Sequence, residues 1–428
     1  MPRFTELAQW LTWMEQLHPS EIDLGLSRVA TVAKKLHIPT CLPDSTRVIM
    51  VAGTNGKGSC VTALQHICLA NGQTVGAFTS PHLLRYNERI QINGQEVSDE
   101  QICNAFARID FARGDISLTY FEFGTLAALL LFHDQPLDYW LLEVGLGGRL
   151  DAVNIIDADV AIITSIDLDH ESWLGSTREV IACEKAGIIK SHSRVVCADD
   201  NPPNSLVDIL NNHTQPSYLI NRDFSYTQTQ ARLLVALSMG SSTETNMEFA
   251  EPSLPFPSIA AALQAFLLLN SKESLLALTP VLPEIALKGR FEKHTFNGSN
   301  IILDVAHNPA ASAHLVKRLK AIECTRYVVV MAIMADKAIT ETIQPLCDIA
   351  DHWVCTEISN VPRCEKAEIL AHNVSLMVDT SVDVICSFDR ALEHAIHIAE
   401  QNTLNVLVVG SFFTVSAAQC YLKSYSIP

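Results

Sequence analysis

Residues 51–59 read Val-Ala-Gly-Thr-Asn-Gly-Lys-Gly-Ser, and this stretch constrains the chain more than any other. The apolar run Val48–Val51 leads in and reads as a buried strand. A helical pattern, Cys60 to Ala70, leads out and stops at Asn71-Gly72. A glycine-rich turn between a strand and a helix lets backbone N–H groups close around phosphate oxygens. Lys57 can reach terminal phosphates, and the Ser59 hydroxyl can ligate Mg2+. The spacing departs from the usual G-x-x-x-x-G-K-[ST] form: two residues separate Gly53 from Gly56, and Gly58 stands between Lys57 and Ser59. The plainer alternative is a glycine turn that binds nothing. The ordered set of strand, glycines, lysine, hydroxyl and helix argues against it.

The rest of the chain repeats the same grammar. Apolar, β-branched runs recur at Val75–Phe78, Trp140–Val144, Val160–Thr164, Val195–Ala198, Ile301–Val305, Tyr327–Met331 and Val406–Val409, with helical stretches between. Such alternation predicts βαβ units and mostly parallel sheets. The polar stretch from Asn201 to Glu251 reads as an irregular or partly antiparallel insertion. A helix from about Ser258 to Leu269 follows a proline cluster. Lys288-Gly289-Arg290 interrupts the pattern before a second strand–helix series. The expected division is therefore residues 1–289 and residues 290–428, two domains for 428 residues.

Composition limits the function. A formal net charge of −17 argues against a nucleic-acid surface and leaves anionic substrates needing a locally positive cleft. With 48% hydrophobic residues the chain can bury substantial cores. Its longest strongly apolar run, Leu126 to Phe132, is too short to span a bilayer. Twelve cysteines, scattered singly with no Cys-x-x-Cys pair and with no signal-peptide pattern ahead of them, predict reduced thiols in a cytoplasmic protein.

Several predicted strands end in polar, reactive residues, and ligands of open α/β sheets bind at carboxyl ends of strands. These segments are Thr79-Ser-Pro-His82, Glu143-Val-Gly-Leu-Gly-Gly-Arg149, Ser165-Ile-Asp-Leu-Asp-His170 and Asp304-Val-Ala-His-Asn308. Glu143 is a candidate Mg2+ ligand, or else a capping or ion-paired glutamate. Ser80 is a second candidate ligand, or only the residue before a structural Pro81. His170 could ligate metal through a neutral imidazole, with Asp167 and Asp169 beside it. Lys185 is either a solvated lysine or a cleft amine of depressed pKa. Arg290 could clamp a phosphate, or sit exposed in a linker. Asp304 and His307 could bind nucleotide or a reacting carboxylate; alternatively Asp304 caps the helix starting near Pro309.

The ordered set Gly53–Ser59, Ser80-Pro-His82, Glu88-Arg-Ile90, Glu143–Asp151, Thr164–His170, Glu184-Lys-Ala-Gly187, Gly289-Arg-Phe291 and Asp304–Asn308 resembles the folylpolyglutamate synthases of the Mur-ligase superfamily. Ile22–Leu26 and Asp115–Glu122 are similar to the bacterial bifunctional dihydrofolate synthase/folylpolyglutamate synthases. The resemblance covers about residues 20 to 415. It implies an α/β fold: an N-terminal P-loop ATPase domain with a mostly parallel sheet, and a smaller C-terminal Rossmann-like domain that closes over ATP and binds glutamate. It implies ATP contacts at Thr54, Asn55, Gly56, Lys57, Gly58, Ser59, Arg290 and Asp304. Metal would lie on Ser59, Ser80, Glu143, His170 and a carbamylated Lys185. A pterin pocket would comprise Asp23, Leu24, Gly25, Leu26, Thr119, Tyr120, Phe121, Glu122, Leu150, Asp151 and Ala152. Catalysis would fall to Lys57, Lys185, His170 and His307. The implied cofactors are Mg2+ at two sites, with ATP as co-substrate, and a monovalent cation. The implied partners are L-glutamate, 7,8-dihydropteroate and reduced folates, with no nucleic acid, no membrane and a monomeric chain. A cell-wall Mur ligase is the competing enzyme, and the segments at Asp23 and Thr119 argue against it. Three features depart from the pattern: Ser258 where relatives often carry Asn, Phe413 where His is common, and Met334-Ala-Asp-Lys337. These put nucleotide and glutamate contacts of the C-terminal half in question.

Overall fold

Strand β1 (Arg47–Ala52) organises the first half of the molecule. Every residue after Arg47 is buried, as expected of a strand covered on both faces. The computed structural model describes residues 2–229, 231–240, 244–296, 298–321 and 326–425. It divides into two units, Met1–Ile285 and Ala286–Pro428.

The first unit continues with β2 (Val75–Phe78), β3 (Ile90–Ile92), β4 (Gln95–Glu96), β5 (Tyr139–Glu143), β6 (Val160–Ile163), β7 (Arg194–Cys197) and β8 (Ser217–Leu219). They form one eight-stranded sheet in the order β4-β3-β2-β5-β1-β6-β7-β8. The pairings from β2 to β8 are parallel, and β3 and β4 add an antiparallel edge. The chain leaves β1 for β2 and returns for β5 and β6, so β1 lies at a topological switch point. The helix Lys57–Ala70 follows β1 and buries Val61, Ala63, Leu64 and Ile67 together with the polar Ser59, Thr62 and Gln65. The helix Phe256–Leu269 packs against it. Near the N-terminus, Trp10, Phe106 and Phe123 interlock at centroid distances of 5.3–6.4 Å, Phe106 and Phe123 edge to face and Trp10 tilted against both.

Of the two readings of the insertion, the antiparallel one holds among the described residues. After the helix Asn204–Asn211 and β8, strands β9 (Ser225–Thr229), β10 (Arg232–Ser238) and β11 (Glu244–Ala250) make a separate antiparallel sheet. Leu233, Val235 and Leu237 alternate inward along β10, the two-residue period of a half-buried strand.

The second unit holds β12 (Glu292–Phe296), β13 (Ser299–Leu303), β14 (Tyr327–Met331), β15 (Ala350–Cys355), β16 (Ser381–Val384) and β17 (Asn405–Val409). Their order is β12-β13-β17-β14-β15-β16, parallel apart from the β12–β13 edge. Tyr327, Val329, Met331 and Trp353 are fully buried in its own core.

Candidate active site

The turn after β1 is shaped by two glycines. Gly56 has φ +85°, a left-handed conformation that disfavours a side chain, and it caps the helix Lys57–Ala70. A Cβ on Gly56 would also stand 2.7 Å from Ser258 Oγ, which donates to Gly56 O at 3.2 Å. Ser258 is thus buried against the loop in this chain. The carboxyl end of β6 supports the loop from beneath. Thr164 Oγ1 donates to Asn55 O at 2.6 Å, Asn55 N donates to Ser165 Oγ at 3.0 Å, and Thr54 N donates to Ser165 O at 2.7 Å. Thr54 Oγ1 bonds the backbone of Asp167 in both directions.

Two lysines converge on this turn. Lys57 Nζ donates to Gly53 O and Thr54 O at 3.0 and 3.2 Å. Lys185, on the helix Arg178–Ala186, donates to Gly53 O at 2.9 Å and is only 4% exposed. Lys185 is therefore a buried amine, not a solvated one. Burial lowers its pKa to about 7, helped by the Lys57 charge and opposed by Asp169 and Asp151.

Glu143 ends β5, is buried, and accepts a hydrogen bond from Ser80 N at 3.0 Å. A side chain on Gly58 would approach Glu143 Oε2 to 3.3 Å, so the carboxylate faces the first turn of the loop helix. Ser59 Oγ in that turn is fully buried and has no hydrogen-bond partner among the described residues. A buried orphan hydroxyl in the same helical turn as the glycine facing that carboxylate gives hard oxygen donors suited to Mg2+. His170 differs from these residues. It is exposed and left-handed, at φ +53°, at the start of a short helix. The loop after Pro81 is held by Glu88, whose carboxylate accepts from Leu83, Leu84 and Arg85 N–H groups at 2.7–3.0 Å.

The segments expected to hold a pterin also meet. Arg28 donates to Asp23 Oδ2 at 2.6 Å and Asp23 O at 2.7 Å, and lies 3.2 Å from Glu122 Oε1. Thr119 and Glu122 form a reciprocal capping box on the helix Tyr120–His133, at 3.2 and 2.8 Å. Phe121 packs on Phe78 at 5.9 Å and fills the space a Gly145 side chain would need. Asp151 is buried and accepts from Leu146 N and Val153 N at 2.8 and 3.0 Å. Burial raises its pKa to about 6 against these bonds and the Lys57 charge. The turn Ala152–Ile155 that Asp151 caps touches both the helix Ser27–Lys35 and the helix Tyr120–His133. Arg28 was not singled out from sequence; an arginine five residues after Asp23 was the available signal. His82 and Arg89 likewise join at 2.8 Å, with the Arg89 guanidinium 5.4 Å from the Tyr86 ring and 5.6 Å from Tyr120.

In the second unit, Asp304 accepts from Phe291 N and Ala306 N, both at 2.9 Å. It does not cap the helix at Pro309; Asn308 does, accepting from Ala311 N at 2.9 Å. Asparagine immediately before Pro309 occupies the N-cap position, whereas Asp304 is still at the strand end. Burial raises the Asp304 pKa, opposed by Arg290. The Arg290 guanidinium lies 5.0 Å from the Phe412 ring, and His307 stands 6.3 Å from that ring. His307 Nδ1 donates to Val305 O at 2.8 Å, which fixes the tautomer. Phe413 is half exposed beside them in sequence.

Comparison with known proteins gives the family. The profile of the Mur ligase middle domain matches residues 51–243, and that of the Mur ligase glutamate ligase domain matches residues 289–412. The dihydrofolate synthase/folylpolyglutamate synthase of Escherichia coli K12 is 40% identical over 415 residues, covering 96% of this chain and 94% of the relative. The solved E. coli FolC in complex with DHPP and ADP superposes with a TM-score of 0.89 at 37% identity, covering 98% of each chain. The bifunctional enzyme of Yersinia pestis complexed with AMPPNP and Mn ion gives 0.88 at 36% identity, covering 99% of each. With its phosphate loop, buried lysine and matched domains accounted for along nearly its whole length, this chain belongs to the dihydrofolate synthase/folylpolyglutamate synthase family of Mur ligases.

Proposed function

We propose that this protein is an ATP-dependent ligase that joins L-glutamate to 7,8-dihydropteroate and to reduced folates. The observation that carries this reading is the Gly53–Ser59 turn with Lys57, Glu143 and Lys185 gathered on it. A carboxylate acylates poorly because oxide is a poor leaving group. Transfer of the ATP γ-phosphoryl group to that carboxylate gives an acyl phosphate, and attack by the glutamate amine then expels phosphate. The loop N–H groups and Lys57 would offset charge on the transferring oxygens and hold them in line.

Ser59, Ser80 and Glu143 would hold one Mg2+, and His170 with a carbamylated Lys185 a second. Bound there, Mg2+ supplies charge neutralisation to the phosphates. The buried, uncharged-prone amine of Lys185 supports its carbamylation. A monovalent cation completes the proposed cofactor set. Arg290 and Asp304 would contact nucleotide, and His307 would meet the glutamate carboxylate or the acyl phosphate. The pterin would lie among Asp23–Leu26, Thr119–Glu122 and Leu150–Ala152. Arg28 Nε supports this, since it is buried and lacks a hydrogen-bond partner among the described residues, as a group awaiting a polar heterocycle would. We place the enzyme in the cytoplasm as a monomer. The eleven cysteines among the described residues are all free thiols, which accords with that.

Purified protein with ATP and L-glutamate should release ADP and phosphate only when dihydropteroate or tetrahydrofolate is also present. The product should carry one more glutamate by mass spectrometry. Failure with both acceptors would overturn the assignment.

A further inference from the structure

Outside the phosphate loop, the second unit brings two imidazoles and a carboxylate to one point. His352 on β15 and Asp383 on the neighbouring edge strand β16 are diagonal partners, since Asp383 pairs with Val354 and His352 with Ser381. His394 comes from the helix Phe388–Asn402, which is anchored through Ala391, Leu392, Ala395 and Ile396 and packs on β15. His352 Nε2 lies 2.8 Å from Asp383 Oδ2, and His394 Nε2 lies 2.7 Å from the same oxygen. The three donor atoms fall within 4.8 Å of one another. Three separate elements thus supply the three donors, so their spacing is set by the fold and not by one mobile loop.

We propose that His352, Asp383 and His394 form a binding site for a divalent transition-metal ion of the zinc class, separate from the oxygen-donor site at the phosphate loop. Two neutral imidazoles and one carboxylate suit Zn2+, Ni2+ or Cu2+ and not Mg2+, which demands oxygen ligands. Burial raises the Asp383 pKa, but the bonds from His394 and His352 outweigh it and hold the carboxyl below its ordinary value, keeping it an anionic ligand. Tetrahedral coordination at about 2.0–2.2 Å separates neighbouring donors by roughly 3.4 Å. The Nε2–Oδ2 contacts of 2.8 and 2.7 Å would therefore open by about 0.6–0.7 Å. The proton now shared in each contact would move to Nδ1 or to solvent. Asp383 and His394 side chains are 40% and 41% exposed, which gives the ion an entry path and leaves water to complete its shell. A bound ion would tie the edge strand β16 to β15 and to the helix.

The test is calorimetric titration of untagged, chelator-stripped full-length protein with Zn2+ in millimolar Mg2+, which saturates oxygen-only sites. Wild type should take up one equivalent of Zn2+ that His394→Ala and Asp383→Asn each weaken at least tenfold. Zn2+ should raise the thermal midpoint of wild type and of neither variant. X-ray absorption of the zinc-loaded protein should show two imidazole nitrogens. Circular dichroism in chelator checks each variant; if one fails to fold, the other carries the comparison. Wild-type and variant titrations that superimpose, Zn2+ bound without imidazole, or no uptake below millimolar Zn2+ would each overturn the site.

Discussion

Lys185 shows how surroundings set the charge of a single side chain. Sequence left it open between a solvated lysine and a cleft amine. Burial decides it, moving the pKa from 10.5 to about 7. The consequence for stability has a definite sign. Between pH 7 and pH 10.5 the unfolded chain holds a proton that the folded chain has released, so unfolding free energy rises with pH across that window. Below pH 7 both states are protonated and the penalty is complete and constant. Lys185→Met removes the titration. Urea unfolding in CO2-free buffer should therefore show wild type gaining on the variant by on the order of a few kcal/mol from pH 7 to pH 10. A pH-independent difference would show that the amine is not desolvated. Glu143 and Ser59 were legible as candidates because strand ends and phosphate-loop hydroxyls have recognisable positions. The burial of Ser59 Oγ without a partner had no signature in the sequence.

At the scale of elements, close backbone approaches fix the proposed pterin region. The Tyr120–His133 helix is set by its own capping box, which Thr119 and Glu122 spell out three residues apart. Its placement against the end of β5 depends instead on Gly145. A methyl group there would meet the Phe121 ring at 2.5 Å. Gly145→Ala should cost about 1–3 kcal/mol in chemical denaturation through overpacking. Displacement of Phe121 should also raise KM for dihydropteroate several-fold while leaving KM for ATP nearly unchanged. Equal KM values for dihydropteroate in variant and wild type would separate Phe121 from the acceptor pocket. The strand β2 appears at the residues its apolar run marks, Val75–Phe78. The apolar-run reading does not mark the edge strands β4, β8, β12 and β16, the short β3 beside β4, or the interior β15, whose run is broken by Asp351 and His352. Edge strands carry mixed, half-exposed side chains, so their sequences lack the apolar signature of central strands.

At the scale of the whole molecule, each unit encloses a core of its own. The second contains Tyr327, Val329, Met331, Trp353 and Leu407, all fully buried, under a six-stranded sheet. Expressed alone, residues 286–428 should therefore fold and melt cooperatively by circular dichroism, yet hydrolyse no ATP, because the phosphate loop lies in the other unit. A featureless, non-cooperative melt would mean that the unit depends on the rest of the chain. Division of the chain into two units leaves a visible trace in sequence, because Lys288-Gly289-Arg290 breaks the apolar pattern just before β12.

The sequence by itself determined the α/β alternation, the phosphate turn and the family, because each rests on local periodicity or on contiguous motifs. Tertiary structure alone decided which candidates lie together. Lys185 reaches Gly53 O across 132 positions of sequence, and Glu143 reaches Ser80 N across 63. Parallel sheets join residues remote in the chain, and the burial that shifts a pKa or strands a hydroxyl is a sum over all those neighbours. The turn at Gly53 has the form of a phosphate loop in its own residues; Lys185 and Glu143 reach it only through the fold.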